Sequence, residues 1–240
     1  MKRLGVNIDH IATLRQARLT SYPNPLEACE LLAKCHVAQV TLHLREDRRH
    51  IQDRDLEMIL AWGKLPVNLE MAATEEMLDI ACRLKPAIVT LVPEKREELT
   101  TEGGLDVAAL MSPLHSFIRR LKHAGIHVSL FIDPEFAQVN ASRELEVDSI
   151  EFHTGTYSEF FETAHRDRKV ERLKNSAFMA KNIGLRVCAG HGLHRENLSF
   201  LVQNIPDILE YNIGHSIIAR ALFVGLERAI QEIQLLLEAS

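Results

Sequence analysis

The sequence predicts an α/β protein, specifically a (β/α)8 barrel with additional helices, and three observations lead there. Eight short apolar runs recur at fairly regular spacing along 240 residues, segments of helical periodicity lie between them, and no Pro-rich or Ser-rich linker divides the chain. Repeated strand, helix, strand units with right-handed crossovers give either an open doubly wound sheet or a closed barrel. A count of eight favours closure, in one domain over residues 1–240. The Gly103-Gly104 pair lacks the GxGxxG spacing of a dinucleotide fold.

The first run, LGVNIDH from Leu4, ends on Asp9 and His10. A helix over Pro25 to Lys34 follows, with Leu26, Cys29, Leu31 and Leu32 as its apolar stripe. In VAQVTLHLRE, from Val37, Thr41, His43 and Arg45 share one face of a strand and Leu42 and Leu44 the other. The next helix, Asp55 to Trp62, stops at Gly63. PVNLEMA, from Pro66, sets Asn68 and Glu70 on one face against Val67 and Leu69 on the other. Helix Thr74 to Leu84 carries Glu75 and Glu76 where the helix dipole favours anions. AIVTLVPE from Ala87 precedes a helix over Val107 to Ala124, and HVSLFID from His127 precedes one over Pro134 to Leu145. DSIEFHTG from Asp148 leads into one long helix, from about Tyr157 to Ile183. LRVCAGHG from Leu185 and LEYNIGH from Leu209 complete the strands, and a final helical set runs from Ser216 to Glu238. Its Ile230 to Leu237 segment suits packing either on the barrel or on a neighbouring subunit.

Composition narrows the function. With 28 Lys and Arg against 33 Asp and Glu, the net charge of -5 argues against a general nucleic-acid surface, although the Arg45 to His50 cluster suits small anions. Four cysteines without a CxxC pair, three of them assigned to helical segments, fit a reducing cytosol. MKRLGVNIDHIA breaks its apolar run with Asn7, Asp9 and His10, unlike a signal peptide, and no run reaches transmembrane length. A cytoplasmic protein that engages neither nucleic acid nor membrane is expected.

In a barrel the C-terminal strand ends form one rim, so Asp9, His10, His43, Glu70, Glu151, His191 and His215 should surround one pocket. Glu70, on a buried strand, is either a general base poised by desolvation or half of a structural ion pair. His43 alone reads as a hydrogen-bonded core residue, but Arg45 on its face adds a fork of donors for phosphate or carboxylate. Arg48 and Arg49 suit either that field or a solvated loop. AGHG at Ala189 to Gly192 and NIGH at Asn212 to His215 end strands seven and eight, where backbone N–H groups and a helix N-terminus can hold a phosphate. TTEGGLD, Thr100 to Asp106, reads equally as a loop closing over an anion or as an ordinary turn. Metal ligation is the alternative chemistry, although HExxH and HxH spacings are absent. Cys188 reads as packed inside and not as a nucleophile.

The strings GVNIDHIATLRQAR, HLREDRRHI, NLEMA, LVPEKREELTTEGGLD, VSLFID, HTG, AGHGL and NIGH, in that order from Gly5 to about Arg220, together resemble the pyridoxine 5'-phosphate synthase family. The resemblance implies a (β/α)8 barrel assembled as octamers. It also implies condensation of 3-amino-2-oxopropyl phosphate with 1-deoxy-D-xylulose 5-phosphate, releasing phosphate and water, with no metal or organic cofactor. Carried over by motif, Glu70 and His43 are proton acceptors, His191 the proton donor and Glu151 a stabiliser of charged intermediates. Asn7, Gly192, Gly214 and His215 bind the amino ketone phosphate, with Arg18 as a further contact. Asp9, His10, Arg45, His50 and Thr100 bind the deoxyxylulose phosphate. Leu19 stands where the family usually has glycine, and HREN replaces an often aromatic stretch, placing His194 and Arg195 as surface residues. The resemblance also leaves His153 and Cys188 structural. Two other readings stay open: a metal-dependent barrel aldolase or isomerase acting on a sugar phosphate, and a non-catalytic phosphometabolite-binding subunit.

Overall fold

The computed structural model describes residues 2–94 and 103–238, so Thr100 lies outside the described residues. The barrel strands are β1 (Arg3–Asn7), β2 (Gln39–His43), β3 (Val67–Met71), β4 (Ile88–Leu91), β5 (His127–Ile132), β6 (Ser149–His153), β7 (Arg186–Gly190) and β8 (Glu210–Ile213). All neighbours are parallel, and β8 closes on β1 through the pairs Arg3 with Glu210 and Gly5 with Asn212. The helices are α1 (Asp9–Gln16), α2 (Pro25–Lys34), α3 (Asp53–Trp62), α4 (Glu75–Leu84), α5 (Met111–His123) and α6 (Phe136–Glu144). After β6 come α7 (Gly155–Glu159) and α8 (Arg166–Asn182), then α9 (Arg195–Asn204), α10 (His215–Val224) and α11 (Leu226–Glu238). The predicted barrel with extra helices is the fold.

Alternation along each strand decides what faces where. Val6, Val40, Leu42, Leu69, Val89, Leu130, Ile150, Val187 and Ile213 are buried beneath the helix stripes, each side chain contributing roughly 1.5–3 kcal/mol of burial. The inward positions are mostly polar, where barrels of this kind carry bulky aliphatic layers. Within the barrel, Gln39 Nε2 donates to Asn212 Oδ1 at 3.1 Å, Thr90 Oγ1 to Asn68 Oδ1 at 2.8 Å, and His127 Nε2 lies 2.9 Å from Ser149 Oγ. At the N-terminal end Glu210 meets Arg186 at 2.8 Å and Arg3 at 3.2 Å. These pairings offset part of the desolvation cost of the polar interior, although Gln39 Oε1 and Thr41 Oγ1 are buried without a hydrogen-bond partner among the described residues.

Four helical regions differ from the sequence reading. α1 has as its buried residues Asp9, Ala12 and Arg15, so two of its three inward side chains are charged and no apolar stripe marks it. α9 does carry a stripe, Leu198, Leu201 and Val202, in a stretch to which the sequence reading assigns no helix. The long helix expected from Tyr157 is broken: the Thr163 hydroxyl donates to the Phe160 carbonyl and accepts from His165 N–H, competing with helix continuation before α8 begins. Val107 to Leu110 is a turn, and α5 starts only at Met111. α11 buries Ala229, Ile230, Ile233 and Leu237 within its own chain, which settles the packing of the last segment.

Candidate active site

Asp9 ties the first two strands together at the rim. Its own N–H donates to Asn7 Oδ1 at 3.0 Å and its Oδ2 accepts from Asn7 Nδ2 at 2.8 Å, while Oδ1 accepts from the His43 N–H at 2.8 Å. The His10 and His215 rings face one another with centroids 4.9 Å apart, and His10 Nδ1 is buried without a hydrogen-bond partner among the described residues. Burial holds His10 below the ordinary imidazole value, with Asp9 opposing and His215 adding to the shift. Arg45 is buried, with Nε 3.7 Å from Asp47.

His50 is held by a residue that the sequence reading missed. Arg15 in α1 donates to both Asp55 oxygens, at 2.7 and 2.6 Å, and to the His50 carbonyl at 3.2 Å. Asp55 in turn accepts from the Gln52 N–H at 2.9 Å, starting α3. A buried fork-to-carboxylate pair of this kind fixes the cluster's backbone. Arg48 and Arg49 make surface pairs, with Asp53 and Glu76 and with Asp47.

Two carboxylates stand inside the mouth. Glu151 Oε2 accepts from Asn212 Nδ2 at 2.6 Å, and a Cβ on Gly190 would sit 2.1 Å from Glu151 Oε1, so the glycine after Ala189 makes room for this acid. Burial raises Glu151 to about 8, the Asn212 amide opposing and Glu210 adding. Burial also raises Glu70 well above the usual carboxylate range, with the charges of Glu151 and Asp9 adding, although 18% of the Glu70 side chain still meets solvent at the mouth. Its Oε2 lies 3.9 Å from His43 Nδ1.

At the far side of the rim, His191 and Gly192 both adopt left-handed backbone with φ of +76°, a strained conformation for histidine. It is held by Thr154 Oγ1, which donates to the Gly190 and His191 carbonyls at 2.8 and 2.6 Å, and by buried Asn197, whose Nδ2 donates to the Gly192 carbonyl at 3.1 Å. Burial lowers His191 to about 4, and His153, with its ring centroid 4.9 Å away, adds to that shift. His153 therefore joins the site it was left out of: its Nδ1 is 3.2 Å from Asp133 Oδ1 and its buried Nε2 has no partner among the described residues. At Gly214 a Cβ would come 2.9 Å from Asn7, and α10 begins immediately after it with its N-terminus at the rim.

The structure thus brings Asn7, Asp9, His10, His43, Arg45, His50, Glu70, Glu151, His191, Gly192, Gly214 and His215 to one barrel end. Arg18 stands apart on exposed chain after α1, beside Leu19, whose φ of +52° suits the glycine the family usually has there. Of the TTEGGLD string, the described part is docked and does not stand free: Leu105 N–H donates to the Phe131 carbonyl at 2.7 Å, and Leu105 and Val107 are buried. Arg195 pairs with Glu232 and His194 with Glu196, both at the surface. Burial raises the Cys188 thiol well above its ordinary value, with Glu210 and Glu151 adding to the shift.

Among the described residues, Asp9, His43 and His50 place potential metal-ligand atoms within 4.8 Å of one another, but the donors do not suit an ion. His50 Nδ1 accepts the Ile51 N–H at 2.8 Å, so a neutral ring carries its proton on Nε2 and has no lone pair to give.

A closed parallel barrel with carboxyl groups and imidazoles converging at its C-terminal mouth defines the class, a (β/α)8-barrel enzyme of acid–base type. The family described as "Pyridoxal phosphate biosynthesis protein PdxJ" matches residues 4–239, and the chain belongs to it. Similar proteins named pyridoxine 5'-phosphate synthase include that of Aquifex pyrophilus, 52% identical over 96% of this chain and 99% of its own. That of Geobacter sulfurreducens is 50% identical over 97% of each. Among solved structures, KGPDC from Streptococcus mutans superposes with a TM-score of 0.69 at 12% identity over 99% of this chain and 98% of its own. Phosphoribosyl anthranilate isomerase from Thermococcus kodakaraensis gives 0.66 at 11% over 100% of both. These two share the fold alone. The family does not favour the metal-dependent aldolase or isomerase reading.

Proposed function

We propose that this chain is a single-domain pyridoxine 5'-phosphate synthase that condenses 3-amino-2-oxopropyl phosphate with 1-deoxy-D-xylulose 5-phosphate, releasing phosphate and water. The observation that carries this reading is whole-length similarity, 52% to the Aquifex pyrophilus synthase, with the acid–base rim intact. Amine addition, dehydration, phosphate loss and ring closure each move protons, and the site supplies groups tuned for that. Glu70, its pKa raised by burial, is basic enough to take a proton near neutral pH, with His43 as the second acceptor. Glu151, at about 8, sits between its charged and neutral forms under working conditions and can follow the charge of the intermediates. His191 is the donor. Asn7, Gly192, Gly214, His215 and Arg18 hold the amino ketone phosphate, and Asp9, His10, Arg45, His50 and Thr100 hold the deoxyxylulose phosphate. Chelator-treated protein given both phosphates is expected to form a pyridinol chromophore; absence of that product would overturn the assignment.

A second expectation concerns protons. His10, His50 and His191 are all held below the ordinary imidazole value by burial, so they are neutral in the empty site at pH 7. A phosphate dianion raises them again, so binding takes up protons and tightens as pH falls from about 8 to 6. Calorimetry of deoxyxylulose phosphate binding in buffers of different ionisation enthalpy should show net uptake; release would contradict it.

Among the described residues no helix is long and apolar enough to cross a membrane. We place the chain in the cytoplasm, supported by its four free cysteines. We also infer a homo-octamer, supported by exposed Leu14, Leu19, Tyr22, Leu222 and Phe223 on or beside the contacting helices α1 and α10. Light scattering giving the 27.2 kDa mass of one chain would overturn the assembly.

A further inference from the structure

Glu94 follows β4 in the Pro93-Glu94 pair that ends the fourth apolar run, and only 5% of its side chain is exposed. A carboxylate so buried needs partners for both oxygens. Oε1 lies 2.9 Å from His43 Nε2, and Oε2 accepts the Glu46 N–H at 3.2 Å. Burial pushes Glu94 up, but the His43 hydrogen bond and charge, the Glu46 amide and Arg45 together hold it below the ordinary carboxylate value. It is therefore ionised at neutral pH, and an ionised carboxylate can only accept.

That requirement decides where His43 carries its proton. With Nε2–H donated to Glu94, the lone pair of the neutral ring is on Nδ1, the nitrogen 3.9 Å from Glu70 Oε2. The gap exceeds hydrogen-bond reach, so Nδ1 keeps its lone pair for a proton arriving from substrate. The His43 backbone is fixed separately by Asp9 at 2.8 Å, so the ring's remaining freedom is its torsion and its tautomer, and Glu94 constrains both.

We propose that Glu94 is the positioning residue of His43: it locks the imidazole as the Nε2–H tautomer, turns Nδ1 toward Glu70 and the cavity, and stabilises the imidazolium formed when Nδ1 takes a proton. The inference rests on His43 being a proton acceptor in the proposed reaction. Among the described residues, the charged or titratable groups around this ring are Glu94 after β4, Glu70 on β3, Asp9 on α1 and His50 in the chain after β2, with Arg45 acting on Glu94. Glu94 is the one hydrogen-bonded to Nε2.

Glu94→Gln keeps the size and an acceptor but loses the charge. It should lower kcat by roughly 10²-fold with KM within about threefold, and Glu94→Asp should restore part of the loss. Because a negative charge beside His43 is removed, the acidic limb of the kcat/KM profile should move to lower pH by about one unit. In ¹⁵N spectra of the substrate-free protein, His43 should be the Nε2–H tautomer in the wild type and a mixture in Glu94→Gln. Wild-type kcat and pH limb in the variant would overturn the proposal, as would lost turnover with limb and tautomer unchanged, which marks a merely structural role. A wild-type His43 found mainly as Nδ1–H overturns it whatever the variants do. Failure of the wild type to make a pyridinol removes the functional reading instead, and the tautomer measurement stands apart from it.

Discussion

Glu70→Gln is expected to lower kcat by roughly 10³-fold while leaving KM for either phosphate within about threefold. Glutamine fills the same space at the barrel mouth, so neither the packing of β3 nor the phosphate-binding rim changes. What disappears is the basicity that burial, Glu151 and Asp9 confer on this carboxyl. A group that abstracts protons during reaction and does not grip either phosphate should show its loss in turnover. Steady-state kinetics with each substrate varied in turn checks it: a large rise in KM at unchanged kcat would make Glu70 a binding residue. His43 should not substitute for it, because its Nδ1 stands 3.9 Å away and its lone pair serves a different proton of the proposed reaction.

Glu151→Gln should cost activity and raise stability, with a pH dependence that identifies the cause. The acid ionises near its ordinary 4.5 in the unfolded chain but at about 8 in the folded one. Below pH 4.5 both states are protonated and the shift costs nothing. Between 4.5 and 8 the unfolded chain ionises while the folded one holds its proton, so stability falls as pH rises; above 8 the loss is constant. Glutamine mimics the protonated acid and can still accept from Asn212. The variant should therefore match the wild type below pH 4.5 and exceed it increasingly as pH rises, by up to about 5 kcal/mol at pH 8 to 9, read as a higher Tm. Turnover should fall by roughly 10²-fold. A stability difference that does not grow with pH would sink this account. The wild-type acid is thus held at a cost in stability, as a buried functional charge requires.

Legibility in sequence followed the range of the physics involved. His43 and Glu70 could be read because strand alternation is a local rule: Leu42 and Leu69 face the helices, so their neighbours face the barrel interior. Gly190, Gly192 and Gly214 were readable as places where something approaches closely, though not as what approaches. Arg15 was not readable, because its partner Asp55 lies 40 residues on and its charge hides the inward stripe of α1. Glu94 looked like the polar end of a strand until the fold put its carboxylate 2.9 Å from His43, 51 residues earlier. His153 was read as structural, yet the geometry sets it against His191 with Asp133 behind it.

By itself, then, the sequence determined the eight strands, their buried faces, the polar residues at their ends and the family resemblance, because alternation, turn chemistry and motif order act over a few residues. Tertiary structure alone decided which of those polar ends touch, which proton each holds and which residues stand behind them. Desolvation and hydrogen bonding depend on groups brought together through barrel closure, and chain separation carries no record of that distance.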